Sequence, residues 1–270
     1  IEMLDRNFKR PTLDTLSRLA GKAKGEVTFS VPIKGSGSAG TPDVPRGAIL
    51  LASGFSETGS TYAPISAKPT GFSSPAKTCT VCFQIDGVQM RLSGCIGNVK
   101  FKLKAGQIGM MEVSLKGKYE VPSDVALTAA TYSAIADLVF QSSTFSFDSV
   151  SMVVDSIEID CGNEVVERPN TISTTGFGGY LLTGRTPTGA IDPELLLVAT
   201  YNFLAKQATA TPASLSFVLG ASAGNIATFT CAKTQITGVE LGERNGIAIA
   251  SCKLAFNQNT GDDWLSLVFT

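Results

Sequence analysis

Short segments in which apolar and polar residues alternate run along almost the whole chain, and a period of two belongs to a strand with one buried face. In residues 25–31, Val27, Phe29 and Val31 share one face, while Glu26, Thr28 and Ser30 share the other. Residues 79–85 and 88–92 flank Asp86-Gly87, a pair suited to a type I′ hairpin turn because both central positions need positive φ. Val99-Lys100-Phe101-Lys102-Leu103-Lys104 alternates strictly, turns at Ala105-Gly106 and returns over 108–119. The pattern recurs at 214–219, 226–230, 235–241, 247–256 and 264–269. Such a chain is expected to be mainly β, with antiparallel pairing dominant.

Two segments read as helices. Residues 46–55 (RGAILLASGF) follow a glycine loop, with Pro45 at the helix start and Gly54 near its end. Residues 192–206 (DPELLLVATYNFLAK) offer Asp192 as N-cap, Pro193 at the first helical position, Glu194 in the first turn and Lys206 in the last. Their matching places expose an internal duplication. KRP (9–11) precedes GEVTFSVPIKG (25–35), a helix and strands; ERP (167–169) precedes GYLLTGRTPTG (179–189), a helix and strands. Aligning Gly25 with Gly179 also aligns Gly35 with Gly189. The second copy carries a leading strand in SVSMVVDSIEIDCGN (149–163); the first, which begins at Ile1 rather than Met, is expected to lack it. The expected division is a first domain over 1–121, a connection over 122–148 with a short helix near 126–140, and a second domain over 149–270.

The chain has no histidine, which removes the commonest general base and metal ligand. Three motifs suggest chemistry and fail on context. Gly35-Ser36-Gly37-Ser38-Ala39-Gly40 matches the dinucleotide pattern G-x-G-x-x-G, but that site needs a helix starting inside the motif. Pro42 and Pro45 delay the helix, so the loop reads as a mobile strand-to-helix connection that touches a neighbouring subunit or open space. Gly220-Ala221-Ser222-Ala223-Gly224 matches a nucleophile elbow, yet lacks a base and sits where a hairpin turns. Cys79-Thr80-Val81-Cys82 on a strand would point its thiols to opposite faces, unsuited to one metal.

The six cysteines, at 79, 82, 95, 161, 231 and 252, read as free thiols, mostly small buried apolar groups. Asp160, Glu164 and Glu167 cluster as a solvated or intersubunit face. Lys100, Lys102 and Lys104 read as guards of an edge strand, or else as a charged face meeting an acidic neighbour subunit. No catalytic, cofactor-binding or metal-ligating residue emerges; no cofactor and no enzymatic activity are expected.

Only 17% of residues are charged, below the ~25% of an average soluble domain, a composition that fits large contacts with other protein. The net charge of −1 gives no footprint for gripping nucleic acid or anionic lipid. The longest uncharged run, 207–232, is broken by Pro212, Gly220 and Gly224, so no membrane span is expected.

RPTLDTLSRLAGKAKGEVTFSVPIKGSGSAGTPDVPRGAILLASGFSETG…TYAPIS (10–66) and FQIDGVQMRLSGCIGNVKFKLKAGQIGMMEVSLKGKYEVPSD (83–124) resemble the tail tube (major tail) proteins of long, non-contractile-tailed bacteriophages. The resemblance lies in the ordered run of strand, G-S-G loop, helix, Y-P-S and D-G hairpin. GNEVVERP…GRTPTGAIDPELL looks like a second tube domain. The resemblance implies two tandem tail-tube-like β-sandwich or barrel domains, each with one flanking helix. It implies a virion structural subunit, assembled in the host cytoplasm, whose rings stack into a hollow conduit for DNA ejection. Two copies per chain would make a trimeric, pseudo-hexameric ring. The implied partners are the chain itself, the tape measure protein, tail-terminator and tail-tip proteins, and DNA passing without specific binding; no membrane is involved. The alternatives are a two-domain β-sandwich module binding receptor or carbohydrate, and another inner-tube or tail-end assembly protein from a contractile or secretion machine.

Overall fold

The computed structural model of the protein describes residues 1–270 except 7, 9, 10, 12, 13, 66–75, 131, 142 and 175. Its first half contains β1 (Met3–Leu4), β2 (Leu19–Ala20), β3 (Lys24–Pro32), α1 (Val44–Ala52), β4 (Phe55–Thr58), β5 (Thr61–Pro64), β6 (Cys79–Ile85), β7 (Val88–Lys104) and β8 (Met110–Asp124). The second contains β9 (Ser146–Phe147), β10 (Val150–Ser151), β11 (Val154–Asp160), β12 (Asn163–Pro169), β13 (Phe177–Arg185), β14 (Thr188–Pro193), α2 (Phe203–Thr209), β15 (Ala213–Ser222), β16 (Asn225–Arg244), β17 (Ile247–Asn257) and β18 (Ser266–Phe269). The protein is a mainly β sandwich. Among the described residues no helix is long and apolar enough to cross a membrane.

Local chemistry explains most elements. Asp86 (φ 44) and Gly87 (φ 85) both adopt the left-handed conformation of a type I′ turn, closing the β6–β7 hairpin as their sequence predicts. The carboxylate of Asp43 accepts the amide of Arg46 at 3.2 Å and caps α1, which therefore starts at Val44, two residues earlier than expected. Gly54, at φ +79, ends it.

Seven antiparallel strands, β3-β8-β7-β11-β14-β17-β16, form one continuous layer. A single row of paired residues crosses it: Ser30, Glu112, Lys100, Asp160, Thr188, Ala255 and Gln235. The next row, Val31, Met111, Phe101, Ile159, Gly189, Leu254 and Ile236, points its side chains the other way, into the core. The 20-residue β16 serves two layers. Its first part pairs with β15 and β18, and its later part, from Lys233, joins β17 in the seven-strand row; the register slips between Cys231 and Thr234 against β15 and at Ile236/Gly238 against β17. Phe229 stacks on Phe217 at 4.7 Å and meets Phe101 of β7 edge-on at 5.2 Å, so β15 and the start of β16 lie over the row. One apolar core runs through both halves.

The first half orders its strands β3-β8-β7-β6 and the second β14-β17-β16-β15, with β11 between β7 and β14. By place in the sheet, the counterpart of β3 is β14, whereas aligning Gly25 with Gly179 pointed to β13, which pairs with β12 in a separate hairpin. Lys9 and Arg10 of the KRP motif lie outside the described residues.

Three expectations are corrected. Residues 192–206 do not form one helix. The Asp192 carboxylate accepts the amides of Asp155 (3.1 Å) and Ser156 (2.6 Å), which holds its backbone in β14; α2 begins only at Phe203, capped by Asn202. No helix occupies 126–140 among the described residues. The amide of Leu138 donates to the Ile33 carbonyl and that of Phe140 to Gln107, keeping the chain extended while both side chains are buried. The two strands expected at 226–230 and 235–241 are one strand, β16.

Candidate functional surface

The side of the seven-strand layer away from the core is built by alternation alone: every residue opposite a core position faces out. β3 contributes Lys24, Glu26, Thr28 and Ser30; β8 contributes Glu112, Ser114, Lys116 and Lys118. β7 and β11 bring Lys100 and Lys102 against Asp160 and Glu158, and β17 brings Lys253.

Most of these charges are compensated within the face. Lys100 lies 2.9 Å from Glu158 and 3.4 Å from Asp160, Lys102 lies 2.9 Å from Glu112, and Lys253 lies 2.8 Å from Glu240. Lys24 meets Glu167 at 2.9 Å, and the Ser114 hydroxyl donates to Glu26 at 2.9 Å. The three lysines therefore do not guard an edge. β7 is internal at this point, flanked by β8 and β11, and the acidic neighbour is a strand of the same chain. The carboxylates of Asp160, Glu164 and Glu167 do not converge: Asp160 belongs to β11, and Glu167 of β12 takes Lys22 and Lys24.

Asp160 is the most constrained charge on the face. Burial pushes its pKa up, but hydrogen bonds from Asn98 Nδ2 (2.7 Å) and the Gly162 amide (2.8 Å), together with Lys100, outweigh that and hold it below the usual value. A depressed carboxylate contributes stability that is complete above its unfolded-state pKa, near 4, and is lost as pH falls through the folded-state value. Wild-type stability is thus expected to decline more steeply than that of Asp160→Asn as pH drops below about 4. At pH 7 the variant should be weaker by about 1 kcal/mol, since solvent screens a partly exposed site. Parallel denaturant titrations between pH 3 and 7 check this, and superimposable pH profiles would refute it.

The buried polar groups near this face serve the joint between halves. Asn163 Nδ2 donates to the carbonyls of Ser53 (2.6 Å) and Gly97 (2.9 Å). Arg185 donates to Asn163 Oδ1 (3.0 Å) and to the Gly54 carbonyl (2.7 Å), tying the end of α1 to β12 and β13. Neither residue carries a sequence signal that singles it out, because the carbonyls of Ser53, Gly54 and Gly97 that they reach are distant in sequence.

The glycine motifs also turn out to be joints, and they meet each other. The amide of Gly37 donates to the Gly224 carbonyl at 3.0 Å, and that of Gly35 to Asn225 Oδ1 at 2.7 Å. Asn225 Nδ2 reaches the Ala136 carbonyl at 2.9 Å. The loop at 35–40 connects β3 to α1 as expected, but its first part packs on the β15–β16 hairpin of its own chain rather than on another subunit or open space. Gly220–Gly224 lies at that hairpin turn, as its sequence predicts.

Cys79 stands opposite Cys95 and Cys82 opposite Arg91; all six thiols are free, four of them buried. Among the described residues, no three His, Cys, Asp or Glu side chains are grouped to hold a metal. What remains is a broad polar face, several of whose lysines are ion-paired, on one side and an apolar core on the other.

A comparison with curated proteins finds no match. The family model described as phage tail tube protein matches residues 1–257. With nearly the whole chain inside that match, and a β sandwich carrying an extended polar face behind it, the protein belongs to the phage tail tube family, a structural component of the virion tail.

Proposed function

We propose that the chain is the repeating subunit of the tail tube of a long, non-contractile tail, closing into trimeric rings that stack into a conduit for DNA. The observation that carries this reading is a pair of unlike open edges at opposite ends of the seven-strand row. β3, nine residues long, has β8 on one side and no strand on the other among the described residues. On β16, pairing with β15 stops at Thr234 and the Gln207 side chain of α2 reaches the Thr237 carbonyl (3.5 Å), so that residues 238–244 have, among the described residues, a paired strand, β17, on one side only. Long open edges template pairing with another chain unless covered, and ring closure removes them.

The matching strand orders of the two halves support a duplicated tube domain, so that three chains supply six quasi-equivalent positions. Exposed apolar side chains, among them Phe83, Leu197, Val198 and Leu241, suit a subunit covered by copies of itself. The ion pairs of Lys100, Lys102 and Lys253 suit a lumen past which DNA moves, because each uncompensated cation would add phosphate affinity. Tape measure protein inside, and terminator and tip proteins at the ends, complete the assembly. The rival reading as a receptor- or carbohydrate-binding module lacks an aromatic site, since the single tryptophan, Trp264, is buried in the core.

Negative-stain electron microscopy of purified protein, with sedimentation velocity, tests the proposal. Three-fold rings or stacked tubes with an axial hole are expected. A monomer that persists at high concentration would refute it.

A further inference from the structure

A groove of about 660 Å³ opens between the core-facing side of β3 and the β6–β7 hairpin, lined by Val27, Phe29, Val81, Phe83, Met90 and Leu92. Phe83 at its rim is 58% exposed. A single chain gains nothing by leaving so much apolar surface to water.

The second half shows how such a groove is filled. There the β15–β16 hairpin holds the place that the β6–β7 hairpin holds in the first half, with the cross-strand pair Phe217·Phe229 corresponding to Val81·Leu92. The end of β7 lies beneath it. Phe101 packs against Phe229 at 5.2 Å, and the side chains of Leu103 and Leu219 close on the same spot beside Gly109. The strand end of one half thus fills the space under the hairpin of the next.

The same strand end exists in the second half, where its inner part is packed on the chain's own core and only its tip is uncovered. Along the paired rows, the position of Phe101 is taken by Ile236 and that of Leu103 by Val239. Beyond them Leu241, on the same side of β16, is 59% exposed. We infer that the groove of each chain receives the β16–β17 end of a second copy, with Leu241 entering between Val81, Phe83 and Phe29. This inference rests on the ring reading above, and it repeats between chains the contact that already joins the two halves within one.

Cysteine cross-linking tests it. In a Cys82→Ser background, Phe83→Cys combined with Leu241→Cys is expected to give disulfide-linked oligomers under mild oxidation. Ser30→Cys, on the opposite face of β3 and outside the groove, combined with Leu241→Cys, should give none. Rings in the microscope without the Phe83–Leu241 cross-link would overturn the groove assignment and leave the ring reading standing. Absence of rings would remove both. Independently, Leu241→Asp places a charge at an exposed position, so the fold should survive with an unchanged far-ultraviolet spectrum. Self-association should nevertheless weaken at least about thirty-fold, the loss expected of an interface hot spot. Unaltered association would refute the assignment.

Discussion

Replacing Phe229 by alanine is expected to destabilise the protein by about 3–5 kcal/mol, the upper range for truncating a buried aromatic side chain. Phe229 is fully buried, stacked on Phe217 with ring planes 12° apart, and its edge contact with Phe101 joins the two layers. The cost depends on whether the neighbours can collapse into the space left behind. Here they cannot move far, because β16 is hydrogen-bonded at this residue to β15 on one side and β18 on the other. Phe229→Leu keeps most of the volume and should cost less than about 1.5 kcal/mol. Guanidinium unfolding at concentrations too low for self-association provides the measurement. A loss below 1 kcal/mol for the alanine variant would mean that the contact between layers is not the one described.

The second large effect is expected at Gly35. A Cβ there would stand 2.2 Å from the carbonyl oxygen of Gly224 and 3.0 Å from the Asn225 Cα, both backbone atoms that no rotamer change can displace. Gly35→Ala must therefore push the loop off the β15–β16 hairpin and weaken the Gly35–Asn225 hydrogen bond, at about 3 kcal/mol. Gly40, in the same motif, sits at φ +73 with open space around its Cβ direction. Gly40→Ala should cost only the left-handed backbone strain, about 1 kcal/mol. Thermal or denaturant unfolding of the two variants side by side decides the matter. Equal effects would show that the glycines serve turn conformation rather than close packing.

That contrast also marks how far the sequence is legible. A period of two revealed most of the large sheet's strands, and Asp86-Gly87 revealed its hairpin, because both signals are local. The slip of register against β15 between Cys231 and Thr234 breaks the alternation of β16, so one strand read as two. The leucine run after Asp192 imitates a helical stripe, and only the amides of Asp155 and Ser156, far away in sequence, show why Asp192 stays in a strand. Alternation placed Lys100, Lys102 and Lys104 on one face, but not beside β11. The motif at 35–40 displayed a need for glycine without its reason, which lies 190 residues away at Asn225.

The two open edges have a consequence for the symmetry of anything built from them. β3 presents its edge at one end of the row and β16 at the other, so pairing two identical edges about a two-fold axis would leave the other edges bare. A ring closed by joining unlike edges therefore has no two-fold axis in its plane, and its upper and lower rims are chemically different surfaces. Rings stacked rim to rim in the same sense inherit that difference at every level. A tube built in this way would have a direction, and proteins starting and stopping it would have to recognise different ends of the same subunit.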